Sequence, residues 1–283
     1  MASSAENEIR VRIQSIQNTH KITKAMGLVA SSKIAKVVER VRRSRPYFQI
    51  MYETLNDITS STVGFQSPYL VDRNILSTCV VVIGADRGLA GGYSSALFKK
   101  AQDVMRDKNS VIVPIGKKCI EYYERRNVNI ISREYATAAD ITVGQCFEIS
   151  KKLCNFFLEC EFDEIVLVYT NFVSMLEQSP AYIKVLPLSR ANDEGTKCTA
   201  QVLQYEPSSE AVYDAIVPEY VAGLLYGALC ESLASEQAAR RTAMDAARKN
   251  AEDMIEALSL QYNRVRQSTI TQEITEIVSG AEE

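Results

Sequence analysis

The residues whose spacing most suggests chemistry form a glycine-rich segment from Gly84 to Gly92, after a predicted strand and before a predicted helix. Dinucleotide-binding loops occupy this position in α/β proteins, because their glycines let a pyrophosphate approach a helix N-terminus. The spacing differs here: a G-x-G-x-x-G motif that ends at Gly91 needs glycine at position 86, which is Asp86. We therefore interpret the segment as a tight turn fixed by Asp86 and Arg87, with nucleotide binding and an interaction surface as the alternatives.

A second glycine, Gly116, stands after the next predicted strand and is followed by Lys117. This pair resembles the end of a phosphate-binding loop, but the glycine that such a loop needs five residues earlier is replaced by Val111. No acidic residue follows this strand either, so the usual partner of a ribose hydroxyl is missing. Both observations weigh against a nucleotide-dependent enzyme.

Nucleophilic catalysis and metal binding have few candidate residues. The only histidine, His20, is close in sequence to Lys21 and Lys24, whose charges disfavour the imidazolium form. Any Ser/His/Asp or Cys/His system would have to be built on this residue. The seven cysteines never occur in C-x-x-C spacing, which predicts neither a disulfide framework nor a zinc site; they are at positions 79, 119, 146, 154, 160, 198 and 230. We expect no catalytic, cofactor-binding or metal-binding residues.

Composition indicates a soluble chain with a locally basic end. No apolar run approaches the roughly 18 residues that cross a bilayer, so we expect no direct membrane insertion. Residues 1–45 hold ten Lys and Arg against three acids, although the whole chain has a net charge of −3. The N-terminus resembles neither a signal peptide nor a transit peptide, which favours a bacterial cytoplasmic protein.

Two long helices are predicted at the ends of the chain, where glycine and proline are almost absent. In the first, positions spaced alternately by four and three residues form a seam, and eleven of the fifteen are apolar: Ile9, Ile13, Ile16, His20, Thr23, Gly27, Ala30, Ile34, Val37, Val41, Ser44, Phe48, Met51, Leu55 and Ile58. This period of 3.5 residues is typical of a helix that packs against a partner helix in a left-handed coiled coil. Pro46 is expected to kink this helix without ending it.

The last helix has a similar pattern with more alanine, which allows the axes of two helices to approach closely. Its apolar positions are Met244, Ala247, Ala251, Met254 and Leu258, and then Ile270, Ile274 and Ile277 after a phase shift. Since one helix opens the chain and the other closes it, we expect an antiparallel pair with the middle of the chain inserted between them.

The middle of the chain alternates short β-branched runs with helical stretches. We predict strands at Cys79–Ile83, Val111–Ile115, Val128–Ile131, Ile165–Tyr169 and Tyr182–Leu186, with helices near 93–106, 117–126 and 143–160. This pattern predicts a small, mostly parallel sheet. The fold class is therefore mixed α+β and α/β: an antiparallel coiled coil of the terminal helices with an inserted Rossmann-like α/β domain. The expected divisions are an N-terminal coiled-coil helix at 1–60, the α/β domain at 75–190, a connector at 191–208 and a C-terminal coiled-coil helix at 209–283.

A basic face runs along the first helix, with Lys21, Lys24, Lys33, Lys36, Arg40, Arg42, Arg43 and Arg45. It could be a solvated flank, a phosphate-binding surface or a surface for an acidic protein. No aromatic residue stands among these cations before Tyr47, whereas single-stranded nucleic-acid binding favours interleaved aromatics. An acidic protein partner is therefore favoured over nucleic acid.

Three segments together resemble the gamma subunits of F-type ATP synthases. They are Ile9–Lys33 (IRVRIQSIQNTHKITKAMGLVASSK), Asp86–Lys100 (DRGLAGGYSSALFKK), and Leu233–Ala239 (LASEQAA) followed by Tyr262–Gly280 (YNRVRQSTITQEITEIVSG). The resemblance covers essentially the whole chain and keeps the order of the segments. It implies a noncatalytic rotor shaft that couples ion flow through the membrane sector to ATP synthesis or hydrolysis at beta-subunit sites.

The resemblance also implies partners and a location. The coiled coil would lie inside a ring of three alpha and three beta subunits, and the α/β domain would contact the epsilon subunit and the ring of c subunits. Nucleic acid would not be a partner. The complex would place this chain at the cytoplasmic face of a bacterial cell membrane, as a peripheral component.

Individual contact residues follow from the matching motifs. Met26, with Lys24 and Lys33, would lie close to an acidic segment of a beta subunit. Residues of the last helix would meet beta-subunit loops or brace the helix pair; they are Arg240, Arg266, Gln267, Thr271 and Glu273. For each residue the alternative is packing within the helix pair itself.

Two other functions remain open at this stage. A small nucleotide-dependent α/β enzyme would bind or hydrolyse ATP as an isolated chain. A coiled-coil protein that used its basic face on nucleic acid would bind with a steep salt dependence. Neither explains why both ends of the chain are long helices with apolar seams.

Overall fold

The computed structural model describes residues 4–61, 65–71, 73–106, 108–188 and 205–281. The two longest helices are α1 (Ser4–Ser61) and α5 (Ser209–Ala281). Between them lie β1 (Ser77–Ile83), α2 (Tyr93–Met105), β2 (Asn109–Ile115), α3 (Lys117–Glu124), α4 (Val143–Leu158), β3 (Glu164–Phe172) and β4 (Gln178–Leu186). Short 3₁₀ turns occupy Pro68–Leu70 and Ala138–Asp140. Long terminal helices around a central sheet confirm the predicted fold class.

The chain divides into two compact units, to which α1 and α5 both contribute. Unit 1 comprises Met1–Ser32 and Arg240–Glu283, and unit 2 comprises Lys33–Ala239. Within the described residues, no helix is both long and apolar enough for a bilayer crossing.

The sheet of unit 2 has the strand order β2-β1-β3-β4. Strand β1 pairs in parallel with β2 and β3, whereas β4 pairs antiparallel with β3. The antiparallel strand follows from chain length, because only residues 173–177 join β3 to β4 and a parallel return needs a longer crossover. The sheet is mostly parallel, as predicted.

Alternating side chains of β1 pack into different layers, since successive residues of a strand point to opposite faces. Val80 and Val82 pack in one cluster with residues of α2 and α3, such as Leu97 and Tyr123. Cys79, Val81 and Ile83 belong to a larger cluster with α4 and the unit 2 parts of α1 and α5, which includes Leu55, Ile58, Ile149, Phe157, Val217 and Leu225. The sheet is therefore covered on both faces, as parallel sheets generally are.

Unit 1 is an antiparallel pair of helices. Tyr262 of α5 is hydrogen-bonded to Glu6 of α1, and His20 Nε2 lies 2.9 Å from Glu252 Oε1. Near the end of the α1 segment, a Cβ built on Gly27 would lie 3.6 Å from Asp245 Oδ1. The residue number rises along one helix as it falls along the other, which confirms the predicted antiparallel arrangement.

The predicted seam of α1 is correct at all fifteen positions, none of which is exposed. The seam predicted for α5 is only partly correct. Met244 and Ala251 are buried, but Met254 is 55% exposed and Ile255 takes the inward position. Ile270, Ile274 and Ile277 are 42%, 56% and 71% exposed. Their prediction as a continued seam is wrong.

One predicted strand is also wrong. Val128–Ile131 contributes only an isolated bridge between Ile130 and Ile112. The chain leaves α3 through a turn at Asn127, just before this segment, and the φ of 52° at Asn127 lies in the left-handed region. Most of the predicted connector at 191–208, including Cys198, lies outside the described residues, and the predicted domain boundaries stay predictions. Helix α1 runs through Pro46 without ending, as predicted.

Candidate partner-contact surfaces

The predicted contact residues of α1 in unit 1 flank its seam. Thr23 and Gly27 are buried at seam positions. This places Lys24 at an exposed position and Met26 at a half-buried one beside the seam. The methionine therefore presents part of its side chain outward while the rest contributes to packing.

Exposed apolar side chains form a second feature of α1 that the sequence reasoning missed. Val11, Ile22, Leu28 and Val29 are 60%, 60%, 66% and 56% exposed. The sequence contains a signal for them, because all four are apolar residues at positions outside the 3.5-residue seam. Together with Lys24, they make the outward side of this helix both basic and apolar.

Lys33 is the first residue of unit 2 and is exposed. The cations that follow it on α1, Lys36, Arg40, Arg42 and Arg43, are exposed as well. Arg42 and Arg43 both lie near the carboxylate of Glu39, at 3.7 and 2.9 Å. The basic face is thus a solvated surface that has one carboxylate on the same helix.

Arg240 differs from the other predicted contact residues because it is only 6% exposed. A cation buried to this extent presents little surface to a separate subunit. Its burial favours a role in bracing the helix pair over direct contact with a beta subunit.

The remaining predicted residues of α5 are all exposed: Arg266, Gln267, Thr271 and Glu273. The contact between Tyr262 and Glu6 sets the register, so residues beyond Arg266 extend past the described start of α1. The hydroxyl of Thr271 donates to the carbonyl oxygen of Gln267 at 2.8 Å, a bond within the same helix. These four residues share one stretch of helix that begins about 39 Å along the axis from Arg240.

A hydrogen bond between His20 and Glu252 joins the helices of unit 1. Glu252 Oε1 lies 2.9 Å from His20 Nε2 and 2.8 Å from Arg248 Nη1. The hydrogen bond from His20 and the charge of Arg248 lower the pKa of the Glu252 carboxyl. The sequence shows only the lysines beside His20, because Glu252 becomes its neighbour only through the register of the two helices.

The glycine-rich segment is a tight turn in which Asp86 has the predicted role. Its carboxylate accepts hydrogen bonds from the backbone N–H groups of Ala138 and Ala139 at 2.7 and 3.0 Å. This contact joins the turn to the loop that precedes α4. Gly116 closes the neighbouring turn with a φ of 97°, where a Cβ would lie 2.6 Å from the carbonyl oxygen of Gly84.

The part of the chain that the structure describes contains no group of side chains suited to hold a metal ion. No three His, Cys, Asp or Glu side chains there are grouped as metal ligands would be. Buried thiols are held protonated, because burial raises the pKa of Cys79 and Cys146 to about 12. Such thiols are poor nucleophiles.

Comparisons with known proteins agree with this arrangement of long helices and a small sheet. A family model described as ATP synthase matches residues 5–283. The ATP synthase gamma chain of Alkaliphilus metalliredigens is 42% identical over 280 residues, with 97% of each chain covered, and that of Ruminococcus albus is 42% identical over 279 residues, with 97% of this chain and 96% of the relative covered. A chain from the rotor of the Euglena gracilis mitochondrial ATP synthase shares the fold, with a TM-score of 0.67 at 18% identity, and the match covers 95% of this chain and 100% of that one. This chain therefore belongs to the ATP synthase gamma chain family.

Proposed function

We propose that the chain is the central rotor shaft of an F-type ATP synthase, a noncatalytic subunit in a complex whose catalytic sites belong to beta subunits. Three alpha and three beta subunits surround the helix pair, and the α/β domain contacts the epsilon subunit and the c-ring. Rotation of the shaft couples ion flow through the membrane sector to ATP synthesis or hydrolysis. The complex holds this chain at the cytoplasmic face of a bacterial cell membrane, as a peripheral component.

The observation that carries this proposal is the asymmetry of unit 1. Two helices cannot have threefold symmetry, so a pair inside a ring of three identical subunits contacts each of them differently. The α1 segment 4–32 carries four cations and two acids, whereas the α5 segment 240–281 carries six of each. Each beta subunit therefore meets a different surface at any moment, and its nucleotide affinity changes only through such differential contacts.

Charge and exposure support an acidic partner for α1. Lys21, Lys24 and Lys33 are exposed, and Val11, Ile22 and Val29 offer apolar contact beside them. A basic surface with apolar residues fits an acidic, partly apolar protein segment better than it fits solvent alone. The predicted contacts of Lys24, Met26 and Lys33 with a beta subunit rest on this complementarity.

The exposed end of α5 supports an enclosing partner. Ile270, Ile274, Ile277 and Val278 are between 42% and 71% exposed, on a stretch that α1 does not reach. Exposed isoleucines repeated along one helix indicate a protein surface that covers them. The contacts proposed for Arg266, Gln267, Thr271 and Glu273 fall on this same stretch.

Met26→Lys tests the coupling role of α1. Because Met26 is half-buried beside the seam, a lysine can extend its charge to solvent and leave the helix intact. In vesicles that contain the assembled complex, we expect ATP hydrolysis to continue while ATP-driven ion pumping per ATP falls severalfold. Both rates should be measured in the same preparation.

Met26→Leu is the matched control, since it keeps the volume and adds no charge. It should pump normally. Normal pumping by the lysine variant would contradict the coupling role, whereas loss of assembly in both variants would show that Met26 serves packing alone.

A further inference from the structure

A cleft in unit 2 has no part in the proposed rotor contacts of the helices. It has a volume of about 390 Å³ and lies between the glycine-rich segment after β1 and helix α3. Both elements begin at the carboxyl ends of parallel strands, where α/β sheets generally bind their ligands. The volume falls within the range of small-molecule sites.

Four cations and one carboxylate line this cleft. Arg87 comes from the glycine-rich segment, Lys118 from the first turn of α3, and Arg125 and Arg126 from the residues that follow α3. The carboxylate of Glu121 is engaged by Lys118 at 2.7 Å, and that hydrogen bond lowers the pKa of the glutamate. The lining therefore has an excess of three positive charges in one concave site.

One of these arginines is held in place by aromatic rings. The guanidinium of Arg126 lies 3.7 Å from the ring centroid of Tyr122, and Phe98 stacks on Tyr122 at 3.7 Å. Two groups this close to one ring must occupy its opposite faces. Tyr122 consequently has no free face on which a nucleobase could stack.

The backbone of the glycine-rich segment offers hydrogen-bond donors to the cleft. The N–H groups of Leu89, Gly91 and Gly92 have no acceptor within the chain as far as the structure describes it. Leu89 and Gly91 have φ values of 64° and 56°, and residues in left-handed conformation within such segments create concave groups of N–H donors that bind anions. Leu89 and Gly91 both line the cleft.

Gly88 supplies a second sign that something approaches from outside. A Cβ built on this residue would meet no atom within 4 Å, so packing inside the chain does not require glycine there. Close approach of an external group to the backbone is a common reason for such a glycine. Gly88 also lines the cleft.

We propose that this cleft binds a small anion with two or more linked phosphate groups, such as inorganic pyrophosphate, tripolyphosphate or the phosphate chain of a nucleotide. Arg125 and Arg126 supply charge and paired donors, and Leu89 and Gly91 supply backbone N–H groups. Recognition stops at the phosphates, because both faces of Tyr122 are occupied and no base can stack there.

Calorimetric titration of the full-length chain with tripolyphosphate tests the proposal. The titration is done at constant ionic strength, because charge attraction is screened by salt. We expect saturable binding of one anion per chain. The double substitution Arg125→Gln and Arg126→Gln should weaken it at least tenfold, and Gly88→Leu should weaken it while the circular dichroism spectrum stays unchanged.

Arg133→Gln is the matched control, because Arg133 pairs with Glu124 at 2.8 Å and does not line the cleft. It should bind tripolyphosphate as the unsubstituted chain does. Equal weakening in this control, or no saturable binding at all, would overturn the proposal.

Competing ligands separate the phosphate chain from other occupants. ATP should bind about as tightly as tripolyphosphate, and adenosine should not bind. Much tighter binding of ATP would reveal base recognition and overturn the phosphate-only assignment. Displacement of tripolyphosphate by a low concentration of an acidic peptide would instead assign the cleft to a protein segment. These results come from the isolated chain, so they do not depend on the rotor function.

Discussion

The two units of the molecule bury their apolar side chains in different amounts. Every cluster of packed, buried apolar side chains among the described residues lies within unit 2. Among the described apolar side chains of unit 1, only four are less than a tenth exposed: Ile9, Ala30, Met244 and Ala251. Unit 2 is therefore stabilised by its own layers, whereas unit 1 depends on a narrow seam and leaves most of its surface for other subunits.

Gly116 and Gly223 of unit 2 lie in more crowded surroundings than Gly27 of unit 1. In unit 2, a Cβ at Gly116 would lie 2.6 Å from backbone oxygen, and one at Gly223 would lie 2.0 Å from the ring of Phe48. In unit 1, a Cβ at Gly27 would make ordinary contacts at 3.6 and 3.9 Å. Alanine substitutions at Gly116 and at Gly27 should therefore have opposite effects.

Gly116→Ala should produce the largest loss of stability. It places a side chain at a φ of 97° and against the carbonyl oxygen of Gly84, and neither the backbone conformation nor the neighbouring main chain can adapt cheaply. Strain and overpacking together should lower the free energy of unfolding of unit 2 by about 2–5 kcal/mol. Urea denaturation followed by circular dichroism measures this loss.

Gly88→Ala is the control for that change, since its Cβ would meet no atom within 4 Å. It should alter the free energy of unfolding by no more than about 0.5 kcal/mol. Similar destabilisation by the two substitutions would argue against the steric explanation.

Asp163→Ala should have a moderate effect on unit 2. One carboxylate oxygen of Asp163 accepts hydrogen bonds from the backbone N–H groups of Leu76 and Ser77 at 2.9 and 3.0 Å. These bonds hold the start of β1, and their removal should cost about 1–2 kcal/mol. Hydrogen exchange at Leu76 and Ser77, measured by mass spectrometry, should become faster.

The effect of Asp163 should depend on pH. The two backbone hydrogen bonds lower the pKa of this carboxyl below its ordinary value of about 3.9. A pKa that is lowered in the folded state adds stability at pH values above the ordinary pKa. This contribution disappears as the pH falls through the pKa of the folded state. The difference between the unsubstituted chain and Asp163→Ala should therefore shrink below about pH 4. A difference that stayed constant down to pH 2 would contradict the assignment.

Gly27→Ala should have the smallest effect, of opposite sign. The helix gains the propensity difference between alanine and glycine, about 0.5–1 kcal/mol, and the added methyl group makes ordinary contacts with Asp245 and Met244. Hydrogen exchange within residues 13–30 should slow. Faster exchange would show that the two helices of unit 1 approach more closely at Gly27 than the 3.6 Å contact allows.

Much of the fold could be predicted because its determinants are local. The seam of α1 follows a single heptad phase over fifteen positions, and each of them proved to be buried or half-buried. Strands β1, β2 and β3 contain short runs rich in β-branched residues and are covered on both faces, and these runs give a clear pattern. Asp86 was correctly assigned to the turn, since a carboxylate beside glycines commonly accepts backbone N–H groups.

Errors and omissions arose where a residue's environment depends on distant parts of the chain. Ile270, Ile274 and Ile277 have a helical apolar spacing, but no part of α1 reaches them. Arg240 has the sequence character of a surface cation, and its burial depends on tertiary packing. The pairing of His20 with Glu252 spans 232 residues and requires the helix register, which composition does not contain.

The part of α5 that extends past the described start of α1 has a consequence for the chain before assembly. A helical segment that is largely exposed is only marginally stable in water, so the last turns of α5 should fray until other subunits enclose them. A copy outside the complex should therefore display a frayed segment with exposed isoleucines, and such segments are preferred sites of proteolysis. Assembly thus completes folding, and orphaned copies carry their own signal for removal.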